Sequence, residues 1–346
     1  MISIHYSTDN SNSAKLWNDY VDAHPEGSIY HLHEWQEVIQ EAFGLKSFYL
    51  YAQDNDNKVC GVLPLILSKS MVFGTYLTSI PFYNYGGILS SNDKTSKALL
   101  DEAVRIAYRE KASHIEFRHR EAIMQSLPTK THKVRMLLPL PQEASILWTG
   151  FKSKLRSQIK RAQRENMTVT FGTEDVLDDF YRVFSTNMRD LGTPVWSKKI
   201  FQQVLRLFPK QTNICVVYFK NQPIAGGFLH GYKDCMEIPS ASAIRAFNRL
   251  SPNMLLYWNV LEFACNEGYR YFDFGRSSPD SGTYRFKQQW GAQPETLHWQ
   301  YWLAQGNSVP EINPQNPKYA LAIKIWQKMP LSLANIAGPF ISRNLP

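Results

Sequence analysis

The chain has 346 residues, of which 44% are hydrophobic and 20% charged, a composition that excludes an intrinsically disordered protein. A single hydrophobic core rarely grows beyond about 250–300 residues, so we expect two domains. The net charge of +8 favours an anionic partner such as RNA, a nucleotide phosphate or a lipid head group, without selecting among them.

The four cysteines lie far apart in apolar stretches, with neither the CxxC spacing of redox sites nor the Cys/His spacing of zinc sites. We therefore expect buried free thiols and no metal. Residues 1–12 are polar and lack the apolar segment of an export signal. No apolar run reaches the roughly eighteen residues that a membrane-spanning helix needs. These features predict a cytoplasmic protein.

One order of elements is predicted twice along the chain, which indicates an internal repeat. The first copy has strands at 47–51 and 59–67 around a polar turn at 54–57, a tyrosine-rich stretch at 76–85, an amphipathic helix and a strand at 113–117. The second copy has strands at 214–219 and 224–232 around a turn at 220–223, a strand at 235–243, a helix at 252–267 and a strand at 269–274. Each copy is preceded by helical segments, which lie at 35–43, 152–165, 175–189 and 198–208.

These patterns predict an α/β protein with two tandem domains, each a mixed sheet flanked by helices. The boundaries are expected at 1–145, 146–305 and 306–346, the last being a tail with a short amphipathic helix. The helix at 252–267 is apolar over most of its surface, so it should pack on a sheet and on a second element. Ser251 is predicted to be the N-cap residue of this helix, Pro252 to start it and Gly268 to end it.

The segment 273–291 is the main candidate for chemistry, because it follows a strand where open α/β sheets place their sites. We interpret it as a glycine-punctuated loop that presents Arg276, Arg285 and Lys287. Such cations suit a phosphate or the oxyanion of an acyl-transfer intermediate. The alternative is that Arg276 pairs with Asp273 or Asp280 and the remainder is solvated surface, which we favour for Arg285. For Lys287 we favour a functional role.

A second basic cluster occupies 152–164, where six cations share a helix with an apolar stripe. It is either a solvated face or a surface that follows the phosphates of a tRNA or a polyanionic carrier. Aromatic residues are not interleaved with the charges, which argues against a sequence-reading module and against DNA as a partner. The helix at 319–329, with Lys318, Lys324 and Lys328, either lies on the inner face of the membrane or docks on its own domain.

Several motifs resemble the FemABX family, and in particular its FemAB-related branch, which includes members beside exopolysaccharide loci. The resemblance covers residues from about 29 to about 302 and rests on residues 30–35 (Tyr-His-Leu-His-Glu-Trp), 155–162 (Leu-Arg-Ser-Gln-Ile-Lys-Arg-Ala), 251–253 (Ser-Pro-Asn), 272–277 (Phe-Asp-Phe-Gly-Arg-Ser) and the Phe-Lys pair at 286–287. Proteins of this family look like two fused GNAT domains and transfer amino acids from aminoacyl-tRNA to peptidoglycan precursors.

The resemblance implies that Phe286-Lys287 is the functionally important Phe-Lys pair and that a nucleotide-precursor pocket lies at 30–35 and 83–87, with Trp35 and Tyr85. The sequence differs from the family in reading Tyr85-Gly86-Gly87 where many members read Arg-Gly-Pro, and in lacking a long helical hairpin. It also lacks the glycines of the GNAT coenzyme A turn, because residues 249–254 read Arg-Leu-Ser-Pro-Asn-Met. The acceptor and the donor, aminoacyl-tRNA or acyl-CoA, therefore stay open.

The favoured hypothesis is transfer of an acyl or aminoacyl group from an activated donor to an amine of a small-molecule or lipid-linked envelope precursor, with no tightly bound cofactor. The alternatives are an acyl-CoA-dependent N-acyltransferase acting on an amino sugar or exopolysaccharide precursor, and a non-catalytic module that binds a nucleotide-linked carrier. Lys287 is the candidate catalytic residue. The candidate substrate-binding residues are Arg276, Tyr284, Phe286, Arg245, Trp35 and Tyr85. The candidate anion- or donor-binding residues are Arg156, Lys160, Arg161 and Arg249.

Overall fold

The structure is a computed structural model that describes residues 2–7, 11–70, 73–310 and 317–345; the side chains of 11 and 317–319, which include Lys318, lie outside the described part. The first half contains, in chain order, β1 (Ser3–Ser7), α1 (Ser11–Ala23), α2 (Trp35–Phe43), β2 (Lys46–Gln53), β3 (Val59–Ser70), β4 (Gly74–Thr78), β5 (Leu89–Ser90), α3 (Asp93–Glu110), β6 (His114–His119), β7 (Thr129–Lys130) and β8 (Val134–Pro139). The second half contains α4 (Ala144–Gly150), α5 (Ser153–Gln163), β9 (Met167–Gly172), α6 (Leu177–Leu191), α7 (Lys198–Leu207), β10 (Thr212–Phe219), β11 (Gln222–Tyr232), β12 (Cys235–Ala243), α8 (Pro252–Asn266), β13 (Tyr271–Ser277), α9 (Gly282–Gln288), β14 (Gln293–Thr296), β15 (His298–Leu303), α10 (Pro317–Gln327) and α11 (Leu331–Ser342).

The chain folds into two compact units. The first comprises Met1–Val134, Thr296–Glu311 and Asn344–Pro346, and the second comprises Arg135–Glu295 and Ile312–Arg343. This division differs from the boundaries expected at 145 and 305. The difference arises because β15, late in the chain, pairs with β6 and thereby completes the first sheet.

The two sheets repeat one topology. The first has the strand order β1-β2-β3-β4-β6-β15-β7, with β5 paired to β3, and the second has the order β9-β10-β11-β12-β13-β8-β14. In each sheet four antiparallel strands are followed by a crossover helix and a parallel strand, so that β4 pairs with β6 around α3 and β12 pairs with β13 around α8. The repeat and the α/β class predicted from the sequence are confirmed.

Helix α8 is buried along most of its length and packs on β10, β11 and β12 as well as on α4 and α5, as its composition predicts. Each large apolar side chain that it buries contributes roughly 1.5–3 kcal/mol to folding. Pro252 starts the helix, and Gly268, at φ 82°, follows its end. Ser251 is the N-cap residue, as predicted, but its backbone is left-handed (φ 56°) and its hydroxyl makes no capping hydrogen bond.

The loop expected after β13 is in part a helix. Residues Gly282–Gln288 form α9, which starts where the Ser281 hydroxyl accepts a hydrogen bond from the backbone N–H of Tyr284 at 3.2 Å. The interpretation of the whole segment as a loop is therefore wrong. The physical consequence is that Phe286 and Lys287 are held on a rigid element.

The four cysteines are free thiols, of which Cys215 and Cys265 are buried while Cys60 and Cys235 are half-buried. Over the described residues, no helix has the length and apolarity that crossing a membrane requires.

Candidate functional site

A cavity of about 400 Å³, here called the α8 cavity, lies in the second unit where β12 and β13 diverge. Within the described chain these two strands pair over residues 235–237 and 271–273, and α8 begins beyond that point. In open α/β sheets, ligands bind at this kind of position, beside the carboxyl ends of parallel strands. The cavity is lined by Asn187, Asp190, Leu191, Ala241, Ser242, Ala243, Arg245, Asn248, Asn253, Tyr257, Gly282, Thr283, Phe286 and Lys287.

Lys287 is the buried cation of this cavity, with 8% of its surface exposed. Its Nζ donates hydrogen bonds to the carbonyl oxygens of Gly275, at 3.0 Å, and Arg276, at 2.8 Å. Gly275 has φ 72°, a conformation that favours glycine, so the backbone turn beside the ammonium depends on this residue. Burial lowers the pKa of Lys287 to about 8, against the opposing effect of Asp273 and Glu237. The Lys287 ammonium therefore loses its proton at a lower pH than an ordinary lysine does.

Two buried carboxylates supply the negative charge that Lys287 needs. Glu237 on β12 and Asp273 on β13 are partners in the parallel register, and both are almost fully buried. Asp273 Oδ1 also accepts a hydrogen bond from the Gly275 N–H at 2.7 Å. Glu237 was not predicted from the sequence, although an acidic residue between Met236 and Ile238 in a strand is a signal for a buried charge.

Helix α6 contributes a polar wall that was not predicted from the sequence. Asn187 Nδ2 donates to Ser242 Oγ at 3.2 Å, and both residues line the cavity. Asp190 lines it too and forms an ion pair with Arg189, at 2.7 Å between Nε and Oδ1. The cavity thus holds an amide and a carboxylate from α6 and an ammonium from α9.

The structure brings together three of the predicted second-domain residues, namely Lys287, Phe286 and Arg245. Arg276 is exposed between buried neighbours and contacts Lys287 through its carbonyl, so its side chain is not part of the cavity lining. Tyr284 is half-buried at the start of α9 and does not line the cavity either. The expectation that these two side chains share the pocket of Lys287 is therefore corrected.

The predicted anion-binding residues lie elsewhere on the second unit. Lys160 and Arg161 are exposed on α5, opposite its buried stripe of Leu155 and Ile159. Arg156 is half-buried and donates to the Thr149 carbonyl at 3.0 Å. Arg249 is exposed in the 3₁₀ turn Arg245–Leu250 that precedes α8. None of these four cations lines the α8 cavity.

A cavity of about 360 Å³, here called the α3 cavity, occupies the equivalent position in the first unit. Its wall includes Gly86 and Gly87, the start of α3 and the residues that follow β6. Gly87 is required there, because a Cβ atom would lie 2.0 Å from His119 Cδ2. Tyr85 lines this cavity and carries the Arg120 guanidinium 4.9 Å from its ring centroid.

Two neutral histidines hold the Gly86–Ile88 backbone from both sides. His119 Nε2 accepts a hydrogen bond from the Ile88 N–H at 2.9 Å. His31 Nε2 lies 3.2 Å from the Gly87 carbonyl oxygen; because a carbonyl oxygen only accepts hydrogen bonds, Nε2 is the nitrogen of His31 that carries the proton. Burial lowers the pKa of both histidines to about 3.

Trp35 does not line the α3 cavity. It is fully buried, its indole N–H donates to the Ile29 carbonyl at 2.8 Å, and its ring meets Tyr83 edge-on at 4.6 Å. The expectation of substrate contact at Trp35 is therefore corrected: this residue packs the core beside the cavity.

Part of the chain matches a known protein family. Residues 150–288 match the family model described as an acetyltransferase (GNAT) domain. A sequence comparison with curated proteins finds no match.

Among solved structures, the chain is similar to FemX, with a TM-score of 0.64 and 15% identity over 93% of this chain and 100% of that one. It is also similar to the C-terminal domain of a protein described as a lysylphosphatidylglycerol synthetase from Agrobacterium fabrum (TM-score 0.57, 12% identity, 92% and 96% covered). A tandem GNAT protein from the clavulanic acid biosynthesis pathway is similar as well (TM-score 0.54, 10% identity, 90% and 100% covered).

The chain therefore has the fold of a tandem GNAT acyltransferase. The likeness to FemX along nearly the whole length, together with the GNAT match, confirms the FemABX-related resemblance at the level of the fold.

Proposed function

We propose that the protein transfers an acyl or aminoacyl group from an activated ester to an amine of a cell-envelope precursor, and that the α8 cavity is the reaction site. The observation that carries this proposal is the buried ammonium of Lys287 at the divergence of β12 and β13. Its two hydrogen bonds to carbonyl oxygens leave one N–H for a ligand.

In the proposed reaction the acceptor amine attacks the donor carbonyl carbon, a C–N bond forms and the bond to the leaving group breaks. Negative charge develops on the carbonyl oxygen, and the free N–H of Lys287 stabilises it. The amine must lose a proton, and Asp190, the carboxylate among the lining residues of this cavity, would accept it. Asn187, Phe286 and Arg245 would orient the reactants.

The N-terminus of α8 favours an aminoacyl ester over acyl-CoA as donor. Coenzyme A pyrophosphate is normally held by several free amides at such a helix start. Here Pro252 has no N–H, and the Met254 N–H already donates to the Ser251 carbonyl at 2.9 Å. Only Asn253 remains of the first three helical positions, which is too few donors for a pyrophosphate.

An acyl-CoA-dependent N-acyltransferase is the second candidate function, acting on an amino sugar or exopolysaccharide precursor. The match of residues 150–288 to a GNAT domain supports it, as does the position of the α8 cavity at a helix start. The names of FemX and of the lysylphosphatidylglycerol synthetase favour aminoacyl transfer and an envelope acceptor.

The α3 cavity is the proposed acceptor-binding site of the first unit. Arg120 on its wall, at the Tyr85 ring, would contact a phosphate of a nucleotide-linked or lipid-linked acceptor.

A thermal-shift panel separates these functions, because a ligand stabilises the protein that binds it. We expect charged tRNA and a UDP-linked wall precursor to raise the melting temperature, and acetyl-CoA to leave it unchanged. A rise with acetyl-CoA alone would favour the second candidate. Binding of precursors without product in a mass-spectrometric transfer assay would identify a non-catalytic binding module.

Asp190→Asn tests the proton acceptor. We expect the transfer rate to fall about 10²–10⁴-fold at neutral pH, as general-base losses do, and the deficit relative to wild type at the same pH to shrink as pH rises and the amine deprotonates unaided. Asp178→Asn, the same change at an exposed position of α6 outside the cavity lining, is the control and should keep the wild-type rate. An Asp190→Asn rate within a factor of two of wild type would remove this role.

A further inference from the structure

The exposed apolar surface of the described chain is concentrated on its last two helices. Of the eleven large hydrophobic residues that are exposed, six lie there, and we name them the α10–α11 face: Leu321, Ile325, Leu333, Ile336, Phe340 and Ile341. Isolated exposed apolar residues are normal on a protein surface, whereas a concentration of them marks a site of interaction.

Helix α11 is apolar on both of its sides. One side docks tightly on the second unit, where the Ser342 hydroxyl donates to the Val195 carbonyl at 3.1 Å and a Cβ on Gly338 would lie 2.9 Å from the Val195 nitrogen. The opposite side carries Leu333, Ile336 and Phe340, spaced three and four residues apart and exposed. A helix with apolar residues all round is normally covered on both sides, so this side lacks its cover in the isolated chain.

The charges within the segment that forms this face are all positive. No acidic residue occurs between 317 and 345. Lys324 on α10 follows Leu321 by three residues, and both are exposed. Lys328, also exposed, directly follows the end of α10, and its backbone N–H donates to the Ile325 carbonyl at 3.2 Å. The Arg343 guanidinium lies 5.7 Å from the Phe340 ring centroid. Apolar side chains bordered by flexible cations are typical of helices that lie in the plane of a membrane interface.

We propose that the α10–α11 face binds the surface of a bilayer that contains anionic lipids. The apolar side chains would enter the head-group region, and Lys324, Lys328 and Arg343 would contact lipid phosphates. A second copy of the chain is a poorer occupant, because a two-fold interface would bring these like charges together.

The face is connected to the α8 cavity through α6. Gln327 Nε2 on α10 donates to the Asp190 carbonyl at 3.1 Å, and Arg189 Nη1 on α6 donates to the Met329 carbonyl at 3.2 Å. Asp190 also lines the cavity. Bilayer binding would therefore hold the α8 cavity near the lipid surface and favour a lipid-linked acceptor. The preference for a lipid-linked acceptor rests on the proposed function, whereas binding to the bilayer does not.

The experiment is flotation of the full chain with vesicles of phosphatidylcholine alone and of phosphatidylcholine with roughly one third phosphatidylglycerol. We expect binding to the anionic vesicles at least about tenfold tighter than to the neutral ones, and weaker at high salt. Ile336→Ser with Phe340→Ser should lower the partition coefficient by about tenfold or more. Lys324→Glu with Lys328→Glu should lower it on anionic vesicles only. Ile146→Ser, a similarly exposed isoleucine outside the face, should bind as wild type does.

Two results would overturn the proposal. One is a wild-type chain that does not float with anionic vesicles at low salt. The other is a wild-type protein that is a dimer in solution and binds no vesicles, while the Ile336→Ser, Phe340→Ser variant is a monomer. That result would make the face a subunit interface. Flotation needs neither donor nor acceptor, so Lys287→Met should float as wild type does even if it has no acyl-transfer activity. This variant therefore separates failure of the binding surface from failure of the proposed reaction.

Discussion

Replacement of Lys287 by methionine removes the ammonium and keeps most of the side-chain volume. In the wild-type protein the pKa is about 8 instead of 10.5, which corresponds to about 3 kcal/mol of unfavourable burial of the charged form at pH 7. Methionine relieves this penalty but leaves the carbonyls of Gly275 and Arg276 without their donor, at about 1–3 kcal/mol each. The two effects largely offset each other, so we expect the variant to fold with stability near that of wild type at pH 7.

The transfer rate of Lys287→Met should fall about 10²–10³-fold, which is the usual effect of losing an oxyanion donor. Lys287→Arg should recover part of the rate, because a planar guanidinium replaces a compact charge imperfectly. The assay is single-turnover transfer followed by mass spectrometry, with urea denaturation of each variant. Since the protonated ammonium is the active form, the wild-type rate should also decrease as pH rises through about 8.

The denaturation profile gives an independent check on the burial of this charge. Between pH 8 and 10.5 the unfolded chain binds the Lys287 proton more tightly than the folded chain does, so wild-type stability should rise with pH across this window relative to Lys287→Met. A stable Lys287→Met protein that transfers within threefold of the wild-type rate would refute the assigned role.

Three further predictions follow from other parts of the molecule. If α5 contacts an anionic donor, charge reversal of Arg156, Lys160 and Arg161 should lower the transfer rate and weaken its dependence on salt concentration. Three charge reversals on the exposed face of α3 should change neither quantity. An unchanged rate and salt dependence in the α5 variant would show that α5 is only a solvated face. Gly87→Ala should displace His119 and lower the unfolding free energy by about 1–3 kcal/mol in urea titrations; an unchanged midpoint would contradict the close packing. The pKa of His119 is about 3 in the folded protein and 6.5 when unfolded, so the free energy of unfolding should fall as pH drops below 6.5, and it should fall less in His119→Gln. Parallel pH profiles of the two proteins would show that His119 is not the group that titrates.

Elements with local signals could be predicted from the sequence with accurate bounds. Strand β12 at Cys235–Ala243 and helix α2 at Trp35–Phe43 coincide with their predictions, because turn residues and periodicity mark their ends. Helix α9 escaped prediction, since a seven-residue segment that begins with Gly282 and Thr283 has weak helical propensity. Its signal was Ser281, three residues before Tyr284, in the position of an N-cap.

Long-range features could not be predicted in this way. Strand β15 pairs with β6, almost two hundred residues earlier, and nothing local indicates that choice of partner. The proximity of Glu237 and Asp273 to Lys287 likewise depends on the parallel register of β12 and β13. The motif could place Lys287 near the end of β13, but only the fold shows that Asp190 of α6 lines the same cavity while Arg276 does not.

The most direct test of the central claim is whether blocking the α8 cavity stops acyl transfer. Asn248 and Ala246 are both exposed in the same 3₁₀ turn, but only Asn248 lines the cavity. Single-turnover amide formation should therefore be at least about tenfold slower in Asn248→Trp than in wild type, while Ala246→Trp keeps the wild-type rate. Equal rates in the two tryptophan variants, or no amide product from wild type with either charged tRNA or acyl-CoA, would contradict the assignment of this cavity as an acyl-transfer site.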